Sequence, residues 1–315
     1  MKKKNSILVT NMESVKEVKP TFLAIGVFDG VHRGHQKLLQ NMVVAAQKAG
    51  AQAAVLTFFP HPAAVIHHRQ GRLYLNTLEE RISLLADQGL DMVIAQSFDD
   101  GLRQTPAADF VSQLCRHLSL SQLWGGAFGL GFNREGDLPF LQKMGKERGF
   151  TVHHIESMVQ WNGQPVSSSR VRQALTGGKI TEVIGYLGHS YNVTGTVIHG
   201  DGRGGPLGIP TANLMVWEEL LLPANGVYAA YAWLGGQKYR AATNIGYRPT
   251  VNGHSLNVEA HLLDFHGDIY GQELTLEFVS RVRDEQKFSG LEALVAQIRI
   301  DIALVRAQLP LDISP

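Results

Sequence analysis

The segment Phe22-Leu-Ala-Ile-Gly-Val-Phe-Asp-Gly-Val-His-Arg-Gly-His35 decides how the first half of the chain is read. Its first four residues are an apolar run stopped by Gly26, the pattern of a short buried strand. Residues 34–48 follow with Leu38, Leu39, Met42 and Val43 at helical spacing, and Gly50 supplies a stop. What lies between is therefore a βα turn at the carboxyl edge of a sheet. Outward from this turn the alternation continues. Residues 53–59 read as a second buried strand closed by Pro60 and Pro62. Thr77 opens a helix through Leu85, with Glu80 at capping-box distance. Residues 92–95, 107–118 and 151–155 extend the series. Strands alternating with helices predict βαβ units, and so an open, doubly wound α/β domain with its ligands at the carboxyl ends of the strands.

After about Leu187 the texture changes. Residues 193–199, 226–233, 239–245, 256–263 and 273–282 are short β-rich runs. They are separated by Pro223-Ala-Asn-Gly226, Gly235-Gly236, Asn252-Gly253 and His266-Gly267. Such spacing without intervening helices predicts a small antiparallel β-barrel. Residues 291–309 form one long helical pattern, and Leu294, Val295, Ile298, Ile302 and Val305 make a stripe that would close over the barrel. The expected domains are 1–186 and 187–315, in keeping with a chain of 315 residues at about 150 per domain.

Composition narrows the class. Apolar residues at 44% and charged residues at 18% exclude a chain disordered by charge. Lys+Arg 29 against Asp+Glu 28 leaves +1, so no bulk field holds nucleic acid or an anionic membrane. Any polyanion must be met by a local site. The single cysteine, Cys115, excludes a disulfide framework and a cysteine zinc cage, and fits a reducing compartment. The basic start is followed only by Ile7, Leu8 and Val9 before polar residues intervene, too little for a signal peptide. No run of about 18 apolar residues occurs either. These features predict a soluble cytoplasmic protein.

In the first turn, His32 and His35 lie one helical turn apart and share a face. Gly34 permits close backbone approach to a ligand, and free N–H groups at a helix start favour anions. The pair suits either stabilisation of departing phosphate oxygens or simple capping of the turn. A histidine metal site is a weaker rival, because no HExxH or third ligand of familiar spacing is present. Downstream, Val166-Ser-Ser-Ser-Arg170-Val-Arg172 places three hydroxyls at the start of a short helix with Arg170 in its first turns. It reads as a second phosphate site, or as an N-cap beside a solvated arginine.

Gly200-Asp-Gly202-Arg-Gly-Gly205 is a literal GxGxxG. A dinucleotide fold would need a helix next, but Pro206 and Pro210 follow, and no Gly-Lys-Ser/Thr marks a Walker loop. What is left is a glycine arch entering Pro210-Thr-Ala-Asn213, either a plain hairpin loop or a phosphate nest. Thr211 and Asn213 offer oxygens suited to Mg²⁺.

The wording of residues 26–35 resembles the FMN adenylyltransferase lobe of the bacterial bifunctional riboflavin kinase/FAD synthetase family, within the HxGH nucleotidyltransferases. Thr57-Phe-Phe-Pro-His-Pro62 and Ser167-Ser-Ser-Arg170 match further family segments in order. The resemblance implies that His32 and His35 contact the ATP phosphates while the FMN phosphate attacks the α-phosphorus and pyrophosphate leaves. It implies nucleotide contacts from Phe28, Asp29, Gly30, Gly34, Ser167, Ser168 and Ser169, with Ser168 and Arg170 on the β- and γ-phosphates. Leu207-Gly-Ile-Pro-Thr-Ala-Asn-Leu214 is similar to the signature of riboflavin kinases, and supporting matches cover nearly all of 191–303. These include Pro223-Ala-Asn-Gly-Val-Tyr228, Asn244-Ile-Gly-Tyr-Arg-Pro-Thr250, Val258-Glu-Ala-His-Leu-Leu-Asp-Phe265 and Arg283-Asp-Glu-Gln-Lys-Phe288. By that likeness Thr211 and Asn213 bind Mg²⁺-ATP, Gly200, Gly202 and Gly208 belong to the nucleotide loop, and Glu259 is the general base for the ribityl 5′-hydroxyl.

The chain departs from the family pattern at Phe59, where a polar or acidic residue is usual. It departs again at Ala127 and Leu130 of Gly125-Gly-Ala-Phe-Gly-Leu-Gly131. Pro206 and Gly188-His-Ser-Tyr191 are milder departures. The expected ligands are riboflavin, FMN and ATP with Mg²⁺, the products FMN and FAD, and no nucleic acid. The alternatives are a riboflavin kinase with a weakened adenylyltransferase lobe, or a non-catalytic flavin- or nucleotide-binding regulator.

Overall fold

The computed structural model describes residues 6–16, 19–155, 159–200, 207–250 and 253–310. The chain divides into two compact units, 1–71 with 77–167 and 72–76 with 168–315.

The first unit is built on six parallel strands. They are β1 (Ile7–Val9), β2 (Thr21–Gly26), β3 (Gln52–Phe59), β4 (Met92–Ser97), β5 (Leu120–Gly125) and β6 (Thr151–His154), in the order β1-β4-β3-β2-β5-β6. The helices are α1 (Arg33–Ala49), α2 (Pro62–His67), α3 (Leu78–Ala86), α4 (Asp100–Arg103), α5 (Ala107–Leu118) and α6 (Leu138–Arg148). A short ribbon, β7 (Gln160–Trp161) and β8 (Gln164–Pro165), follows. Strand β2 is apolar without alternation because both its faces are covered. Phe22 and Ala24 share a core with Leu39, Met42 and Ala46 of α1 and Leu85 of α3. Leu23 packs on the other face with Phe110, Val111 and Leu114 of α5 and Leu141 of α6. This is the doubly wound arrangement. Strand order turns back at β2, which has β3 on one side and β5 on the other. The ligand crevice of such a sheet lies outside the carboxyl ends at that switch, where residues 26–35 sit.

Local signals worked as chemistry requires. Thr77 Oγ1 accepts from the Glu80 N–H at 3.2 Å while Glu80 Oε2 accepts from the Thr77 N–H at 2.9 Å. Gly50 ends α1 in the left-handed region at φ 63°. Strands β1 and β5 and helix α6 add to the expected elements. The first has three residues, β5 carries Ser121 and Gln122, and α6 begins with a proline in its first turn.

The second unit opens with α7 (Ser168–Thr176) and α8 (Ile180–Leu187). A closed antiparallel barrel follows: β9 (Tyr191–Ile198), β10 (Ala212–Val216), β11 (Gly226–Leu234), β12 (Gln237–Thr250), β13 (Gly253–Leu262) and β14 (Glu273–Arg283). Alternating residues Val193, Leu214, Tyr228, Ala230, Ala241, Val258 and Leu276 are buried, and the alanines let a six-stranded barrel fill without voids. Helix α9 (Leu291–Gln308) lies on the outside, with Val305 against Ala229 and Leu263.

The division at Ser167/Ser168 places α7 and α8 with the barrel, whereas the sequence texture suggested a boundary after residue 186. The reason is local packing. The Ala224 N–H donates to the Leu175 carbonyl at 3.1 Å, and a Cβ on Gly178 would come within 2.9 Å of the Arg281 guanidinium. A short strap, residues 72–76, also belongs to this unit. Arg72 Nη1 donates to the Leu220 carbonyl at 2.7 Å, the Leu221 N–H donates to the Tyr74 carbonyl at 2.8 Å, and Arg172 Nε donates to the Leu73 carbonyl at 2.8 Å. Tyr74 packs its ring 4.7 Å from that of Trp217.

One charge interrupts the apolar stripe of α9. Asp301 is 2% exposed and is gripped by Arg283, with Nε at 3.0 Å from both carboxylate oxygens and Nη2 at 2.8 Å from Oδ2. Arg283→Ala leaves that carboxylate buried and without its fork. The expected loss is about 3 kcal/mol of barrel stability, read from the denaturant midpoint.

Candidate active sites

In the α/β unit the turn after β2 is wound tightly. Phe28, Gly30 and Val31 have φ of 52°, 78° and 37°. Such a conformation costs a non-glycine residue about 1–3 kcal/mol and persists only where surroundings over-determine it. Here Phe28 and Val31 are buried, the Val31 N–H donates to the Phe28 carbonyl at 3.0 Å, and Gln36 Nε2 donates to the Val31 carbonyl at 2.8 Å. Thr57 Oγ1 ties the end of β3 to the turn by donating to the Val27 carbonyl at 2.8 Å.

His32 is the N-cap of α1, its Nδ1 accepting from the His35 N–H at 3.3 Å. In the neutral ring the proton is therefore on Nε2. His35 stacks on His32 with centroids 3.6 Å apart and planes 14° apart, and Phe28 meets His35 edge-on at 5.0 Å. Gly34 is required by this stack, since a Cβ there would sit 3.2 Å from two His32 ring atoms. Burial above all, then His32 and Arg81, hold the His35 pKa well below its usual value. His35 is half-buried as a residue, yet its Nδ1 is shut from solvent and has no hydrogen-bond partner. An unsatisfied polar atom of this kind costs stability unless a ligand meets it.

Asp29 is 2% exposed and faces inward, 3.5 Å from Nη2 of a fully buried Arg81. Phe59 is half-buried at the end of β3, and Ala127 is exposed in the loop after β5. Ser167 is the last residue of this unit, and Ser168, Ser169 and Arg170 form the first turn of α7 in the other.

On the barrel, Asn213 of β10 and Asn244 of β12 both lie in register with Glu259 of β13. Val258 and Ala260 are buried, so Glu259 projects to the outer face with Asn257, two residues away. Asn257 Nδ2 donates to Glu259 Oε1 at 2.6 Å and to Asn213 Oδ1 at 3.4 Å. A Cβ on Gly200 would fall 2.2 Å from Asn213 Nδ2, so the backbone at Gly200 closes directly on that amide. Gly208 takes φ 73°, while Gly202 lies outside the described residues. Thr211 is half-buried just before β10, where His261 Nδ1 donates to the neighbouring Pro210 carbonyl at 2.7 Å. Thr211, Asn213 and Glu259 offer hard oxygens on one face, with Gly200 against Asn213. That donor set fits Mg²⁺, which takes few protein ligands beside phosphates and water. Gly200→Ala displaces Asn213, and FMN formation is expected to fall about tenfold or more, with FAD formation from supplied FMN as the unaffected control.

Asn257 was not singled out from sequence, although its place two residues before Glu259 on a strand would have flagged it. Arg81 was missed for the opposite reason, being a charge on a helix face that reads as apolar.

A histidine pair at the switch point of a doubly wound sheet, and a carboxylate beside two asparagines on a barrel face, are in keeping with a two-unit transferase of nucleotide phosphates. Comparison with known proteins makes the class specific. Residues 14–170 match the FAD synthetase family model and residues 187–309 the riboflavin kinase model. The bifunctional riboflavin kinase/FMN adenylyltransferase of Escherichia coli K12 is 37% identical over 282 residues, 89% of this chain and 90% of that one. Its counterparts in Listeria monocytogenes and Bacillus subtilis are 35% and 31% identical over 90% and 91% of this chain, and 91% and 92% of their own. A solved Streptococcus pneumoniae structure, described as a macrolide-efflux protein, has a TM-score of 0.86 at 27% identity over 96% of this chain and 98% of that one. The chain belongs to the bifunctional riboflavin kinase/FMN adenylyltransferase family. It is a transferase that phosphorylates riboflavin to FMN and adenylylates FMN to FAD. No described helix is long and apolar enough to cross a membrane.

Proposed function

We propose that the two reactions use one site per domain, the kinase in 187–315 and the adenylyltransferase in 1–186. The observation that carries the kinase half is the Asn213–Asn257–Glu259 array beneath Gly200. Glu259, oriented by the Asn257 amide, takes the proton from the ribityl 5′-hydroxyl. That oxygen bonds to the γ-phosphorus as the bond from the γ-phosphorus to the β–γ bridging oxygen breaks, and ADP leaves. A carboxylate suits this work because it can accept the hydroxyl's hydrogen bond first and its proton later. Thr211 and Asn213 would hold Mg²⁺, which supplies neutralisation of phosphate charge, and amides of Gly200, Gly202 and Gly208 would line the phosphates.

In the other reaction an FMN phosphate oxygen bonds to the α-phosphorus of ATP, and the α–β bridging bond breaks to release pyrophosphate. His32, through Nε2–H, and His35 meet the charge that gathers on the phosphates. The turn from Phe28 through Asp29 to Gly30, with Gly34, shapes the approach. The ligands are riboflavin, FMN and ATP, with neither nucleic acid nor membrane, in a reducing cytoplasm. Incubation with riboflavin, ATP and Mg²⁺, followed by chromatography of the flavins, should show FMN and then FAD. FMN alone would trace the loss to the apolar Phe59 and Ala127 in the adenylyltransferase half, and a flavin left unchanged would overturn both assignments.

A further inference from the structure

The α/β unit buries one charged pair that neither reaction consumes. Arg81, on α3, has no exposed surface, and Asp29, inside the histidine turn, has 2%. Arg81 stands in the first turns of α3, which the capping box of Thr77 and Glu80 fixes in place. From there its guanidinium reaches two structures at once. Nη1 donates to the Phe58 carbonyl near the end of β3 at 3.1 Å, and Nη2 lies 3.5 Å from Asp29 Oδ1 inside the turn. Asp29 stands between Phe28 and Gly30, two of the three positive-φ residues that deliver His32 to its capping position. A buried charge pair costs desolvation and is poor evidence for stability alone. Its persistence behind a phosphate site needs another use.

We propose that Arg81 is a positioning residue for adenylyl transfer, holding Asp29 and the end of β3 so that the stacked His32–His35 pair keeps its orientation, without itself touching substrate. The inference rests on the reading that this pair meets the ATP phosphates. Arg81 also acts through its charge. The charged or titratable groups bearing on His35 are His32 in the same turn and Arg81 from α3, with Asp29 as the partner of Arg81. Both His32 and Arg81 disfavour a proton on His35, after burial itself. The neutral form of His35 is thereby favoured.

Geometry and charge can be separated by two variants. Arg81→Lys keeps the charge and loses the fork, and Arg81→Gln keeps a donor and loses the charge. FAD formation from FMN and ATP is measured from pH 5.5 to 9, with FMN formation from riboflavin by the same samples as the control for folding. Both variants should lower kcat for FAD formation about tenfold or more, with a smaller change in the KM for ATP. Only Arg81→Gln should move the acid limb of the profile to higher pH, by about half a unit or more, because His35 then binds its proton more readily. Should the single neutral variant fail to fold, Asp29→Asn with Arg81→Gln restores a neutral bonded pair and is expected to show the same displacement. A drop in rate with identical pH limbs in every variant would overturn the inference, as would unchanged rates or an equal fall in FMN formation. A parallel His35→Ala variant that still makes FAD at the parent rate would instead remove the reading beneath it.

Discussion

Glu259→Gln is expected to stop FMN formation, by about 100-fold or more, and to leave FAD formation from supplied FMN intact. The substitution is nearly isosteric, and its amide oxygen can still accept from Asn257 Nδ2, now 2.6 Å from Glu259 Oε1. What disappears is the capacity to take a proton. An electrostatic role for the carboxylate would give a similar loss, so Glu259→Asp is the informative companion. It keeps the base but withdraws it by one methylene, and should recover measurable turnover with riboflavin. Flavin chromatography reads both variants directly. Were Glu259→Gln to retain the parent rate, or to stop FAD formation from FMN as well, the assignment of the base to the β13 face would fail.

His35→Ala is expected to show the reciprocal signature, with FAD formation reduced about 100-fold and FMN formation unchanged. The stack shows why the loss should exceed that of one hydrogen bond. His32 loses its planar neighbour at 3.6 Å, so its Nε2 loses direction along with its partner. Protonation has its own sign. Burial, His32 and Arg81 place the folded His35 pKa below 6.5, so the unfolded chain takes up the proton first as pH falls. The stability associated with a neutral His35 is fully present above 6.5 and is lost progressively as pH drops toward the lower folded value. Denaturant midpoints at pH 7.5 and 5.5 should therefore differ more for the parent than for His35→Ala.

Much of the architecture could be read from local chemistry. The capping box at Thr77, the glycine stop at Gly50 and the three hydroxyls that open α7 are short-range instructions, and each is obeyed. The period-two runs of the barrel are equally local. The turn holding His32 and His35 was legible because it joins an apolar strand to a periodic helix. Asn257 was not, since its meaning comes from Asn213 across a strand pair. The ion pair of Asp29 with Arg81 spans 52 residues, and no periodicity encodes it. The strap of Arg72-Leu-Tyr-Leu-Asn76 is further still from any local rule, because its partners have no sequence proximity to reveal them.

That strap makes the order of synthesis matter. Arg72 bonds to a carbonyl 148 residues further along, at Leu220. A growing chain presents its amino-terminal part first, at about 5–20 residues per second. Five residues of the first-made half thus wait, for about ten seconds or more, for a seat that does not yet exist. A gene cut between the two catalytic halves would leave them waiting permanently. The carboxyl-terminal fragment would then expose Trp217 and Leu220 where the strap belongs, so the halves share an assembly step even though each has its own reaction.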